Sequence, residues 1–256
     1  MASQRSTVAI GWSHGGVGFA QKNMERMSLN ATPFSIEMEE LVIGYRNAPP
    51  LNSPFSGRFE GAGIHLVAGR NGSGKSTLIR TLAGLQPPVS GSILWGEDDL
   101  SQIPSNERGE GMAFMASTPP RTSGLRVEEV LELMQPSLEF RDRTLQQVGA
   151  QEWLDRRLSS LSDGQAQRVM LARALLQNTP WIALDEPTAF LDAPSRTAMW
   201  KTLLQLSESG VGLILASHDF RFLEGKTALS SVHAIASSGW LSLDRLGQAS
   251  DWESCF

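Results

Sequence analysis

Apolar and polar residues alternate where patterning begins: Phe34, Ile36 and Met38, then Leu41, Ile43 and Tyr45. That period of two predicts a half-buried strand. Asn47 to Pro54 is rich in Pro, Asn and Ser and predicts a turn region. Gly57 to Glu60 reads as another short strand. Ile64-His65-Leu66-Val67-Ala68 is a short apolar run and reads as a buried strand. Thr77 to Ala83 reads as a helix stopped by Gly84. Gly91 to Gly96 predicts a further strand between glycines. From about Ser117 to Asn178 the pattern turns helical. Val127, Val130, Leu131 and Met134 share one face at i, i+3, i+4 and i+7. Leu145, Val148, Trp153 and Leu154 mark a weaker helical region. Gly164 to Gln177 is the longest helix candidate, and Pro180 bars its continuation.

Trp181-Ile182-Ala183-Leu184 is continuously apolar, the mark of a central parallel strand covered on both faces. Pro194 to Ser209 returns to helix, with Pro194 in its first turn. Gly212 to Ala216 reads as a buried strand, and residues 231–242 as a final strand pair. Strands alternating with helices predict an α/β fold. No internal repeat is visible. Residues 1–32 lack periodicity and are rich in Gly, Ser, Gln and Met, which predicts a flexible extension and a poor signal peptide. Met24 or Met27, just before patterning begins, is then the expected natural start. Residues 243–256 read as a polar tail.

Composition narrows the function classes. The chain has 256 residues, 41% hydrophobic and 19% charged, enough for a substantial core without staples. The net charge is −5 and no basic stripe is present, so no nucleic-acid partner is expected. Cys255 is the single cysteine, which leaves no internal disulfide and fits a reducing compartment. No run of about 18 apolar residues is present, so the chain is expected to cross no membrane by itself.

Gly69-Arg70-Asn71-Gly72-Ser73-Gly74-Lys75-Ser76-Thr77 satisfies the G-x-x-x-x-G-K-[ST] pattern of a phosphate-binding loop. It lies between the predicted strand 64–68 and the predicted helix 77–83, the order such a loop requires. Its glycines let successive N–H groups turn toward an anion. Lys75 supplies a charge for the β and γ phosphates, Ser76 a hydroxyl for Mg²⁺, and the helix N-terminus a favourable dipole. Asp185 and Glu186 end the apolar strand 181–184, where open α/β sheets bind ligands. Asp185 is the candidate Mg²⁺ carboxylate and Glu186 the candidate general base. Ser162, in Leu161-Ser162-Asp163-Gly164-Gln165, is a good cap for the long helix and also places a helix N-terminus toward a phosphate.

With these motifs in order, the chain resembles the nucleotide-binding subunits of ATP-binding cassette transporters. Leu161–Gln165 is similar to that family's signature sequence, with Asp163 in place of the commoner glycine. Ala189-Phe190-Leu191-Asp192 resembles its dimer-contact loop, and His218 its switch histidine. Tyr45, 24 residues before Gly69, resembles the aromatic that stacks on adenine. The alternative for Tyr45 is a ring in the core, and for Asp192 a plain helix-terminal carboxylate.

The resemblance spans roughly residues 34–240. It implies a P-loop NTPase fold with a RecA-like parallel sheet core, an antiparallel β subdomain and a helical subdomain inserted at about 116–178, all within residues 33–242. It implies ATP hydrolysis with Mg²⁺ in a homodimer. The phosphate loop of one copy (Gly69, Asn71, Gly72, Ser73, Gly74, Lys75, Ser76, Thr77) would then face Ser162, Gly164 and Gln165 of the other. It also implies integral-membrane permease subunits, a periplasmic substrate-binding protein in the system, and a place at the cytoplasmic face of the plasma membrane.

One departure stands out. The family's glutamine after the strand that opens the helical subdomain is missing. Ala116-Ser117-Thr118 follows strand 111–115, and Ser117 is the positional equivalent and a weak candidate metal ligand. Within the family, the stretch from Asp185 to Arg196 is most similar to importers of ferric siderophores, haem or cobalamin. The alternatives are an export-type haem or drug ATPase, a soluble cassette ATPase, or a small-molecule kinase. A kinase shares the loop but does not need Ser162, Asp192 and His218 together.

Overall fold

The computed structural model describes residues 33–120, 124–218, 229–236 and 239–243. The expected N-terminal extension, the tail beyond Leu243, and Cys255 lie outside them. Strands β1 (Ile36–Val42), β2 (Phe55–Phe59) and β3 (Gly63–Gly69) lead to helix α1 (Lys75–Leu82). Then come β4 (Ser90–Trp95), β5 (Asp98–Asp99), the single turn α2 (Arg108–Gly111) and β6 (Met112–Met115). Helices α3 (Val127–Glu132), α4 (Leu138–Val148) and α5 (Asp163–Leu176) follow, with two short 3₁₀ turns between α4 and α5. The chain returns through β7 (Trp181–Asp185), α6 (Ala193–Glu208), β8 (Gly212–Ser217), β9 (Leu229–Ala236) and β10 (Gly239–Leu243).

Two sheets result. An antiparallel sheet has the order β2-β1-β4-β5, and a six-stranded sheet the order β10-β9-β3-β8-β7-β6. In the second, only the β9–β10 pair is antiparallel. The period of two in its buried strands sorts side chains into two cores. Ile64, Leu66, Ile182, Leu184, Leu213 and Leu215 pack with Val127, Leu145, Leu171 and Leu203 of the helices. Val67, Trp181, Ala183, Ile214 and Ala216 pack on the other face with Leu78, Ile79, Leu82 and the β1 residues Ile36 and Met38. The fold is therefore the expected α/β one, with parallel core, antiparallel β part and helical part.

Several elements differ in detail from the sequence reading. In β1 the apolar parity slips between Met38 and Leu41. A register shift in both of its pairings sits there, with Glu40 at φ 47°, which is a β-bulge. Gly91 lies opposite: a Cβ there would come within 2.4 Å of the Glu40 carbonyl oxygen. Tyr45 falls beyond the end of β1, about half exposed, so its ring is not in the core. Helix α3 stops at Glu132, short of the predicted Met134, and Gln135 follows at φ 49°. Elements β5 and α2 carry no apolar period. Arg108 anchors this region instead, donating to the carbonyls of Gly84 (2.9 Å) and Ile103 (3.0 Å).

Behind the phosphate-loop strand lies a buried polar cluster. His65 Nε2 donates to the Gly61 carbonyl (3.2 Å), so its Nδ1 accepts the Ser231 hydroxyl proton (2.8 Å). Ser231 Oγ then accepts from His233 Nε2 (3.0 Å), and His233 Nδ1 is left buried without a partner. Burial, with the neighbouring His65, pushes His233 down to about 4, and burial lowers His65 as well. Folding thus favours the neutral rings. The unfolded chain takes up protons first as pH falls below about 6.5, so stability drops in that direction. His233 alone contributes about 3 kcal/mol of loss between pH 6.5 and 4. The melting temperature is therefore expected to fall over that range, and His233→Gln to flatten the slope. An equal slope in the variant contradicts the assignment.

Candidate active site

The phosphate loop joins β3 to α1 at the C-terminal edge of the parallel sheet. Gly72 and Gly74 have φ of +82° and +99°, a region that disfavours other residues. Gly69 has no room for a Cβ, which would lie 2.6 Å from Ser73 Oγ. Asn71 and Gly72 are exposed at the tip, and Thr77 is buried in the first turn of α1.

Lys75 is buried and folded back over the loop. Its Nζ donates to the carbonyls of Gly69 (2.9 Å) and Arg70 (3.1 Å) and lies 3.3 Å from Glu186 Oε1. The other carboxylate oxygen of Glu186 is 3.0 Å from His218 Nδ1. Glu186 therefore bridges a loop lysine and a strand-end histidine, two residues far apart in sequence. It holds φ 47°, left-handed and uncommon for a non-glycine residue, because its N–H is committed to the Ala216 carbonyl (2.9 Å) while its own carbonyl accepts from Ala189 (3.0 Å).

Ser76 Oγ donates to Asp185 Oδ1 (2.7 Å). Asp185 Oδ2 is buried with no hydrogen-bond partner, and the Arg80 guanidinium stands 3.8 Å away. Burial raises the Asp185 carboxyl above its usual range, and the Ser76 hydrogen bond partly offsets this. A buried carboxylate oxygen without a donor, beside a hydroxyl, is an oxygen set that suits Mg²⁺. Ser73 Oγ is likewise buried without a partner.

Tyr45 stands at the edge of this site, its hydroxyl 3.1 Å from Thr77 Oγ1. A cleft of about 420 Å³ opens beside Glu186 and is lined by Asn71, Ser117, Glu186, Phe190, Arg196 and His218. Phe190 is 79% exposed at φ 62°. Asp192 caps α6 by accepting from Ser195 N (3.0 Å), and Ser195 holds its carboxyl below the usual range.

Ser162, Gly164 and Gln165 are not brought to Lys75. Ser162 caps α5 in a reciprocal box with Gln165: its Oγ accepts from Gln165 N (3.2 Å), and Gln165 Oε1 accepts from Ser162 N (3.0 Å). Both flank Gly164, which is buried against α6; a Cβ there would lie 2.7 Å from Ser195 Oγ. Within one chain, then, Tyr45, Lys75, Ser76, Asp185, Glu186 and His218 collect at the loop, while the Ser162 group forms a separate helix end. Sequence reading had missed Arg80 and Gln167. Arg80 sits four residues after Ser76 on α1, a spacing that signals a shared helix face. Gln167 carries no such signal, being one of several polar residues on its helix, beside Gln165, Arg168 and Arg173.

Residues 53–189 match the family described as ABC transporter. The manganese transport system ATP-binding protein MntB of Bacillus subtilis (strain 168) is 34% identical over 75% of this chain and 80% of its own length. The probable siderophore transport system ATP-binding protein YusV of the same organism is 31% identical over 72% of each chain. A solved ATP-binding subunit of an ABC transporter superposes with a TM-score of 0.70 at 24% identity, covering 86% of this chain and 98% of that one.

Proposed function

Because the chain belongs to the ABC transporter family, an ATPase family, we propose that it drives uptake of a ferric siderophore, haem or cobalamin through a separate permease. One observation carries the enzymatic part: Lys75, Ser76, Asp185, Glu186 and His218 converge at the end of the parallel sheet. Lys75 and the loop N–H groups bind the β and γ phosphates of ATP. Glu186 takes the proton of the attacking water. His218, held 3.0 Å from Glu186, orients that carboxylate. Tyr45 stacks on adenine. Ser76 and Asp185 would hold Mg²⁺, with Ser117 a weaker ligand from the cleft, and the ion would supply charge stabilisation to the phosphates.

Because Ser162, Gly164 and Gln165 lie apart from Lys75 in one chain, they serve the site of a second copy, with ATP between the two. The helical part, about 116–178, docks on the permease. No helix among the described residues is long and apolar enough to cross a membrane. In this reading the permease is a separate chain and this one works at the cytoplasmic face of the membrane. A periplasmic binding protein completes the system.

Likeness to YusV favours the siderophore reading. A second reading, manganese uptake, is favoured by likeness to MntB. Proteoliposomes holding this chain and its permease separate them. ATP-dependent accumulation of a ferric siderophore, haem or cobalamin supports the first reading, and accumulation of Mn²⁺ the second. ATP hydrolysis without accumulation of any of these, or with efflux, refutes the import assignment.

A further inference from the structure

Helix α5 is apolar on its inward side. Ala166, Val169, Met170 and Leu171 pack into the same core as Ala113 and Met115 of β6. Gln167 interrupts this side. It is 1% exposed, and its Nε2 donates 2.5 Å to the Ser117 carbonyl, fifty residues earlier in the chain. Its Oε1 is buried without a hydrogen-bond partner. An apolar side chain of the same length would fill the space without a buried amide oxygen, but would take away the donor that the Ser117 carbonyl now has. A polar residue that half-fails its own hydrogen bonding is poorly explained by packing. It is well explained by what its other half holds.

What it holds is the segment where the family's glutamine is missing. Ser117 lines the cleft beside Glu186 and His218. Its side chain is short, so its place in the cleft depends on where its backbone lies. The same helix begins with the Ser162–Gln165 cap and presses Gly164 against Ser195 of α6. One rigid element thus touches the cap, the segment after β6, and the helix that follows Asp192.

We propose that Gln167 is a positioning residue for hydrolysis: by gripping the Ser117 carbonyl it fixes Ser117 in the cleft and ties that segment to α5. The proposal rests on the ATP-hydrolysing reading above.

The test is a double-mutant cycle on the full chain, read as kcat and KM for ATP, with melting temperature alongside. Gln167→Leu removes the amide, and Gln167→Met does so at equal length should the first variant fold poorly. Loss of the grip is expected to lower kcat about tenfold and leave KM within about twofold. Ser117→Ala alone is expected to cost about fivefold. Because Gln167 acts through Ser117, adding Ser117→Ala to Gln167→Met should cost almost nothing more. Parental kcat in both Gln167 variants overturns the proposal, and so do losses that multiply. A parent chain that binds ATP but never hydrolyses it overturns the hydrolytic reading and this inference together. A parent that turns over normally while the losses multiply removes only the role of Gln167.

Discussion

Glu186→Gln is expected to bind ATP at least as tightly as the parent while its turnover falls a hundredfold or more. The lower bound follows from what a positioned general base contributes, about 10² to 10⁴ in rate. The unchanged or improved binding follows from the geometry. Lys75 Nζ lies 3.3 Å from Glu186 Oε1, and Glu186 is 14% exposed, so water screens the pair only partly. A bound phosphate competes with that carboxylate for Lys75. An amide of the same shape surrenders the lysine more readily and still accepts from His218. With hydrolysis blocked, the two copies should stay joined, seen as a dimer by size-exclusion with ATP and Mg²⁺. A variant that turns over like the parent removes Glu186 from the role of base. One that loses binding shows that the Lys75–Glu186 contact shapes the loop and does not compete with ATP.

The sequence showed those parts of the site whose chemistry is local. The phosphate loop is nine consecutive residues between a buried strand and a helix, and the structure keeps that order: β3, loop, α1. Gly74, which the pattern requires, has positive φ, and so does Gly72 at one of its open positions. The cap at Ser162 and the Pro194 turn are likewise contained in a few neighbouring residues. Contacts made across the sheet were not readable. Glu186 meets Lys75 from a different strand, and its left-handed backbone arises from a bond to Ala216 on the adjacent strand. Periodicity carries no information about such pairings.

The β1 bulge was half visible. The step from Met38 to Leu41 breaks a period of two, but only the partner strands show that an inserted residue absorbs the break. Gln167 was hidden for the opposite reason. Beside Gln165, Arg168 and Arg173 it reads as one more polar residue of the helix until its partner, Ser117, is located fifty positions away. Tyr45 lay at the end of an alternating run and could be read as core. The chain leaves the sheet at Val42, which puts the ring at the loop instead.

Lys75→Ala should remove most of the nucleotide response without unfolding the chain. Two charge-assisted bonds to phosphate oxygens, each about 1.5 kcal/mol, correspond to about a hundredfold in ATP affinity. The same lysine also has duties when no phosphate is present. It is 5% exposed and satisfies the Gly69 and Arg70 carbonyls at 2.9 and 3.1 Å. Alanine leaves both carbonyls and Glu186 without that partner, a loss of about 1–3 kcal/mol, reduced because Arg70 is exposed and its carbonyl can turn to water. Binding and folding effects are separable by melting the protein with and without ATP. In the parent, ATP at a hundred times its Kd raises stability by about 2.7 kcal/mol. In Lys75→Ala at the same concentration that gain should shrink to about 0.4 kcal/mol, while the nucleotide-free melting temperature drops by only a few degrees. A full ATP-induced gain in the variant would take Lys75 out of phosphate binding and leave it only its structural bonds to the loop.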